Sequence, residues 1–342
     1  MKVWKRIVIF AVIAVVFQLG VLIYLNNFML KSFTVFNASA QDNGNKEANK
    51  AGIRMPDNID SIEVSFDGKY CSYYKDSTLY IVDNETGLRR KVTFDGGQTL
   101  NLYRWKESSA QLIIAEQGVI NGASTLKIML YDAQSGKQEL LKDLSSIGKN
   151  IKVGSIECAG TNDIIVSILQ SNGKYDLYYI GDEITKVALN IDKVDDFKYG
   201  GKDKAVIYKD KASSKYINSE NKKVFELKSP ASKLLTVDFQ GNVYIADTNK
   251  NQVSEIYFKD MNKSNDTWRL IELKQTVEVS QLFISKNGNI YINDLLQGKF
   301  INIKDNDTIS YEGKLMGIFD NGIIALKDDI VNRITFNEKN KK

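Results

Sequence analysis

From residue 59 onward the chain returns again and again to the same order of short apolar strands and tight turns. Residues 65–94 (SFDGKYCSYYKDSTLYIVDNETGLRRKVTF) show the unit: strand-forming runs of five to seven residues broken by Asp67-Gly68, Lys75-Asp76-Ser77 and Glu85-Thr86-Gly87. Turn residues between runs rich in Tyr, Val and Ile are the mark of an antiparallel meander. Residues 126–141 (LKIMLYDAQSGKQELL) repeat the second half of the unit in register, and residues 175–189, 222–227 and 268–273 supply further third or fourth strands. A turn follows each unit's first strand, at Gly68, Ser108, Gly160, Gly201, Gly241, Gly288 and Gly322, which spaces the units by 40, 52, 41, 40, 47 and 34 residues. The two long intervals hold additional residues at 118–125 and 259–267, which we read as inserted loops. Without them the period is about 40 residues, the length of a four-stranded propeller blade.

This period decides between architectures of similar strand content. A β-sandwich does not repeat one meander seven times, and the coil of a parallel β-helix is much shorter. Helical patterning is missing after residue 30. The sequence therefore predicts an all-β propeller, best fitted by seven four-stranded blades, with six or eight fitting less well. The last unit offers three strands only, near residues 315–320, 323–327 and 330–336. An open ring would leave exposed strand edges, so a strand from residues 31–59 is expected to complete the final blade.

Residues 7–25 (IVIFAVIAVVFQLGVLIYL) form an apolar run broken only by Gln18 and Gly20. As a helix this segment is about 28 Å long, close to the hydrocarbon thickness of a bilayer. Lys2, Lys5 and Arg6 precede it, and the positive-inside rule then holds the amino terminus in the cytoplasm and everything after about residue 26 outside. Ala38-Ser39-Ala40 has the form of a signal-peptidase site. It lies well past the apolar run, however, and that run exceeds the usual length of a signal h-region; an uncleaved anchor is the expectation, and either reading exports the body. The predicted organisation is a cytoplasmic stub and transmembrane anchor over residues 1–30 and a linker over 31–58. A propeller over 59–338 and a polar tail over 339–342 follow.

Histidine is absent among the 342 residues. That removes the commonest general base near neutral pH and, with two cysteines, most zinc constellations. Cys71 and Cys158 are too few for a disulfide-stapled domain, and read as buried thiols in strands. Basic and acidic residues are interleaved, the net charge is only +4 and lysine outnumbers arginine, so no stripe tracks a nucleic-acid backbone.

The unit at residues 65–94 resembles the WD40-like repeat of TolB-type and dipeptidyl-peptidase-IV-type propellers, through Ser65, Asp67, Gly68, Leu79, Tyr80, Asp83, Thr86, Gly87 and Thr93. Phe66 stands where that pattern has proline. Residues 236–256 (TVDFQGNVYIADTNKNQVSEI) are similar to an NHL repeat, through Gly241, Val243, Tyr244, Asp247, Asn251 and Val253. Both resemblances imply a propeller and neither names a ligand. The peptidases carry a hydrolase domain beside the propeller, but no G-x-S-x-G elbow occurs here.

Carboxylates remain as acid/base groups. Glu157, Asp195, Asp196, Asp238 and Asp294 sit near strand ends, but turn acids ordinarily hydrogen-bond their own backbone and no spacing singles out a pair. Asp305-Asn306-Asp307 lacks the glycine and final glutamate of a calcium loop and reads as a hairpin. The run at 192–196 reads as a solvated edge. No cofactor, metal or catalytic residue is expected. Aromatic and arginine anchors are the better binding signals: Tyr103, Arg104 and Trp105 on the first strand of the second unit, and Trp268 after the second insertion. The expected role is a tethered interaction or scaffolding module whose partner is an envelope or membrane protein. A glycan or small-molecule sensor is the alternative, and a carboxylate-based carbohydrate enzyme a more distant one.

Overall fold

The computed structural model describes Gln18 and residues 53–336 apart from 57–58, 60–61, 95, 121, 149–150, 160–162, 188, 190, 192–196, 201–204, 211, 213–214, 226–231, 262, 264–266 and 320. The apolar run at 7–25, the Ala38-Ser39-Ala40 site, Asp195, Asp196 and the tail at 339–342 thus lie outside the described residues, Gln18 excepted. Among the described residues no helix is long and apolar enough to cross a membrane. The chain divides into a unit at Met1–Lys50 and a compact unit at Ala51–Lys342.

The second unit is a β-propeller of seven four-stranded antiparallel sheets. Strand β1 (Ile53–Arg54) comes first in the chain. Blade one follows with β2 (Ile62–Val64), β3 (Tyr70–Lys75), β4 (Thr78–Asp83) and β5 (Arg89–Val92). Blade two holds β6 (Thr99–Trp105), β7 (Gln111–Ile120), β8 (Ala123–Asp132) and β9 (Gln138–Asp143). Blade three holds β10 (Lys152–Ala159), β11 (Asp163–Leu169), β12 (Tyr175–Ile180) and β13 (Ile184–Val187). Blade four is β14 (Phe197–Gly200), β15 (Ala205–Lys209), β16 (Tyr216–Asn218) and β17 (Val224–Phe225). Blade five is β18 (Ser232–Val237), β19 (Asn242–Asp247), β20 (Gln252–Asp260) and β21 (Arg269–Glu278). Blade six is β22 (Leu282–Ile284), β23 (Ile290–Asp294), β24 (Lys299–Asn302) and β25 (Thr308–Ser310). Blade seven takes β26 (Lys314–Phe319), β27 (Gly322–Lys327) and β28 (Ile330–Thr335) from the end of the chain and β1 from its beginning. Ile53 pairs with Val331 and Arg54 with Ile330, so the first strand closes the ring.

The second strand of each blade explains why the sheets stack as a ring. Side chains alternate between the two faces of a strand, and here both faces are covered by a neighbouring blade. In β7, Leu112 and Ile114 pack toward blade one while Ile113 and Ala115 pack toward blade three. In β19, Val243 and Ile245 join the cluster shared with blade four, and Tyr244 and Ala246 the cluster shared with blade six. In β27, Ile323 and Ala325 face blade six and Ile324 faces blade one. Burial on both faces demands a continuous apolar run rather than an alternating one, which is what LIIA, DIIVSI, AVIY and GIIAL provide. Each of the seven junctions between blades has its own buried cluster.

Of the turns used as a ruler, the five among the described residues, Gly68, Ser108, Gly241, Gly288 and Gly322, fall at the junction of a first and second strand. The insertion at 118–125 is not a loop. It continues the β7–β8 ladder, with Gly118 opposite Thr125, Val119 opposite Ser124 and Ile120 opposite Ala123. Branched Val119 and Ile120 favour extended backbone, and Gly122, at φ 77°, serves the reversal. The second insertion begins on β20, which runs to Asp260, and the connection to β21 occupies residues 261–268. Cys71 and Cys158 are buried and unbridged, and burial pushes both thiols up to about 12.

Candidate functional site: the channel ringed by the first strands

The first strands of all seven blades line one cavity of about 710 Å³, within the range of small-ligand sites. Their hairpins explain how each contributes. Counting two residues back from the last paired residue before each hairpin gives Glu63, Arg104, Glu157, Lys198, Thr236, Phe283 and Gly317. All seven line the cavity, one from each blade. The ring so formed carries alternating charge over blades one to four and is neutral over blades five to seven.

Neighbouring charges in the ring are paired. Arg104 lies 3.8 Å from Glu63 and Lys198 3.7 Å from Glu157. Burial raises the Glu63 pKa, opposed by the Arg104 charge and the Trp105 backbone N–H. Gly317 is required by close approach, since a Cβ there would lie 2.3 Å from Val64 Cγ2. That glycine lets the first strands of blades seven and one meet.

A second tier comes from the hairpins themselves. In blade one the Ser65 hydroxyl donates to Asp67 Oδ1 (2.7 Å) and accepts from the Tyr70 N–H (2.9 Å), fixing the turn around Phe66. In blade five Asp238 accepts from the N–H groups of Gln240 (2.9 Å) and Asn242 (2.8 Å), the amide of Asn242 and the Tyr244 hydroxyl. In blade six the Ser285 hydroxyl accepts from Asn289 N–H (3.1 Å). The residue after Ser65, Lys106, Asp238 and Ser285 is respectively Phe66, Glu107, Phe239 and Lys286, and all four line the cavity. Phe66, which departs from the proline of the resembling repeat, thus belongs to the site.

Lys286 of blade six reaches three other blades. Its Nζ donates to the carbonyls of Tyr199 (3.3 Å) and Val237 (3.2 Å) and lies 3.4 Å from Glu107 Oε1. An ammonium has three donors, so these partners use them all. Burial raises the Glu107 pKa, the Lys286 charge opposes this, and the nearby Glu157 carboxylate adds to the rise. Among the described residues, Glu107 Oε2 has no hydrogen-bond partner. Lys106 is buried, donates to Gln111 Oε1 (3.0 Å), and has its pKa lowered by burial.

The residues singled out from sequence divide. Arg104 is half-exposed and belongs to the ring. Tyr103 and Trp105 are buried in the cluster between blades one and two, where the Trp105 indole donates to the Ser72 hydroxyl (2.8 Å) and stacks near Tyr70. Positions 103 and 105 share one face of β6 and 104 the other, so the three cannot present a common surface. Trp268 precedes β21, packs against the cluster between blades four and five, and lies 5.9 Å from Lys259 Nζ; it is not a lining residue of the channel. Glu157 is in the ring, whereas Asp238 caps a hairpin and Asp294 accepts from the N–H groups of Leu296 and Gln297. Asp305 lies in the β24–β25 turn, and among the described residues no acidic cluster is placed to hold a metal. Glu63, Glu107, Lys198 and Lys286 were missed. Their signal was a charge at a fixed offset from the turn, Glu63 and Lys198 on first strands and Glu107 and Lys286 in the hairpins themselves.

No family model matches the chain, and no curated protein matches it. Solved propellers resemble it at low identity. Dipeptidyl peptidase 4 of Porphyromonas gingivalis is 13% identical with a TM-score of 0.44, over 72% of this chain and 44% of that one. This chain therefore spans less than half the length of that peptidase. The Cps50 (Swd1) β-propeller domain of Myceliophteria thermophila is 11% identical with a TM-score of 0.46, over 82% of this chain and 97% of that one. The WD40 domain of SCAP from fission yeast is 13% identical with a TM-score of 0.39, over 82% and 81% of the two chains. The fold assignment rests on the strand topology itself: the chain is a seven-bladed β-propeller.

Proposed function

We propose that the protein is a membrane-tethered binding module of the cell envelope. The apolar run at 7–25 is its anchor, the propeller lies outside the cytoplasm, and the mouth of the channel at the Phe66, Glu107, Phe239 and Lys286 hairpins receives the partner. The observation that supports this most is the ring of one residue per blade, all lining a single cavity. Its charges are satisfied by each other, which suits recognition better than acid/base chemistry. Interaction and scaffolding roles draw on the same rigid disc, because loops on a fixed frame carry recognition. The envelope component enters here in place of the aromatic surface expected from Tyr103, Trp105 and Trp268.

The test uses the full chain in its own membrane. A photo-crosslinking residue at Phe239 should capture one specific envelope component, and the same residue at Lys142 on the outer β9 should not. Capture of nothing specific at Phe239, or identical products at both positions, overturns the reading. Protease added from outside should also digest the propeller; protection of the propeller would refute the exported orientation.

One observation favours a second reading, carbohydrate hydrolysis by paired carboxylates. Glu107 and Glu157 line the same cavity, and Glu107 is pushed toward its protonated form by burial and by the Glu157 charge. A raised acid beside a second carboxylate is the arrangement glycosidases use. Release of new reducing ends from an oligosaccharide, lost in Glu107→Gln, would establish it; absence of release from every sugar that binds would eliminate it.

A further inference from the structure

We infer that the channel takes a neutral saccharide, held with its hydroxyls on the charged arc of blades one to four and a C–H face on the apolar arc of blades five to seven. The inference rests on the reading of the channel as the binding site and names the chemistry of its ligand.

Charge balance argues first. Within the ring Glu63 and Glu157 face Arg104 and Lys198 in equal number, each pair within 3.8 Å. At the ring an anionic ligand must displace a glutamate from its cation and meet the other ring carboxylate, and of the further lining cations Lys286 is engaged by Glu107 and Lys106 by Gln111. A cationic ligand meets the converse obstacle. A neutral group that both donates and accepts disturbs neither pair, and a hydroxyl does both. Adjacent hydroxyls can donate to a carboxylate and accept from the cation beside it, so an alternating acid–base arc is matched by a polyol.

The donor count agrees. Lys286 has its three donors engaged by Tyr199, Val237 and Glu107. A guanidinium offers five donors and an ammonium three, more than the single ion pairs shown for Arg104 and Lys198 consume.

The opposite arc is the more apolar one, with Thr236, Ser285, Lys286 and Asn287 as its polar members. Phe239, Phe283, Met316 and Ile318 line the cavity from blades five to seven. Sugars carry C–H faces that pack on aromatic and aliphatic side chains, whereas an extended peptide would leave its backbone donors and acceptors unmatched along this arc. A volume of about 710 Å³ accommodates an oligosaccharide of a few units rather than a polymer segment.

The test is binding by calorimetry to the full chain in a detergent without a sugar head group. The probes are trisaccharides of glucose and of N-acetylglucosamine, a uronic acid trisaccharide, and acidic and basic peptides. At least one neutral trisaccharide should bind saturably, with an affinity that does not change with salt. Glu157→Gln and Lys198→Met should each weaken it at least about ten-fold, the cost of a lost buried hydrogen bond to a charged group, and Phe239→Ala comparably. Far-UV circular dichroism and Lys142→Ala serve as controls for the fold. Preference for the uronic acid or a peptide, failure of every neutral sugar, or binding unchanged in both ring variants overturns the inference. If those results come while the Phe239 crosslinker still captures one envelope component, the ligand class falls and the channel reading stands.

Discussion

The residues of the first hairpin show how few atoms set the geometry of the channel mouth. Ser65 is fully buried, and its hydroxyl bonds Asp67, the Tyr70 N–H and the Tyr70 carbonyl together. Ser65→Ala leaves buried groups without that partner and should cost about 1–3 kcal/mol. Gly68→Ala should cost more. Its φ of 69° opposes a side chain, and a Cβ would lie 2.6 Å from the Phe319 ring that seals blade seven against blade one. Left-handed backbone costs about 1–2 kcal/mol, and overpacking about 1–3 kcal/mol more. Denaturant unfolding of the full chain, followed by tryptophan fluorescence, measures both; a Gly68→Ala variant as stable as wild type would contradict the contact. Glu107 makes a pH prediction with a definite sign. Its folded pKa is raised, so the folded state holds the proton more tightly than the unfolded chain. The corresponding stability is present below the ordinary glutamate value of about 4.3 and is lost as pH climbs through the raised value. Glu107→Gln lacks that loss and should gain on wild type across this window, then run parallel to it. A difference that is flat with pH, or of opposite sign, excludes the assignment.

At the scale of elements, local chemistry and strand pairing agree where the sequence was easiest to read. The β3–β4, β27–β28 and β19–β20 turns place both central residues at positive φ: Asp76-Ser77, Asp328-Asp329 and Lys250-Asn251. This is the hairpin turn that asparagine and glycine favour. Replacing Asp328-Asp329 by Asn-Gly should therefore stabilise the protein by about 0.5–2 kcal/mol, the usual yield of such local optimisation; a loss of stability in the same unfolding assay would show the turn assignment to be wrong. The second strands were legible for a related reason. Two covered faces leave little room for polar residues, so the apolar runs in β7 and β11 announce themselves although each holds one buried polar residue, Glu116 and Ser167. First strands were not. Only one short stretch of each faces the channel, and Glu63, Arg104, Glu157 and Lys198 become a set only when the hairpins are aligned. Tyr103 and Trp105 misled because an aromatic on a strand looks the same whether it anchors a partner or fills the junction between two blades. Which face of β6 is covered depends on blade one, forty residues earlier, and no local pattern carries that information.

For the whole molecule, the decisive junction is the one between the last blade and the first. Every pair of neighbouring blades is joined by chain running from a fourth strand to the next first strand, but blade seven alone takes its fourth strand, β1, from the other end of the chain, so β1 and β28 are joined by pairing rather than by a turn. Blade seven is held to blade one by β1, two residues long, and by the cluster of Met55, Ile62, Cys71, Tyr73, Val82, Phe319, Ile324 and Val331. Met55 is 2% exposed and its N–H bonds the Asp329 carbonyl (2.6 Å), so it extends the closing strand and plugs the seam together. The guanidinium of Arg333 lies 4.8 Å from the centre of the Phe319 ring and donates to the Asp67 carbonyl, adding a polar clasp. Met55→Ala removes side-chain volume beside the β1–β28 pairing, where the two ends of the propeller chain meet without a covalent link, and should cost about 2–5 kcal/mol. Ile164→Ala, at the junction of blades two and three, whose strands are all consecutive in the chain, should cost a similar amount but act differently. Opening the seam exposes two strand edges and lets unfolding spread from both sides. Amide exchange in Met55→Ala should thus accelerate most in β28 and β2, and least in blade four on the far side. In Ile164→Ala the acceleration should centre on β10 and β11 instead. If both variants lose protection in the same pattern, the ring opens as one body and β1 is merely its last strand.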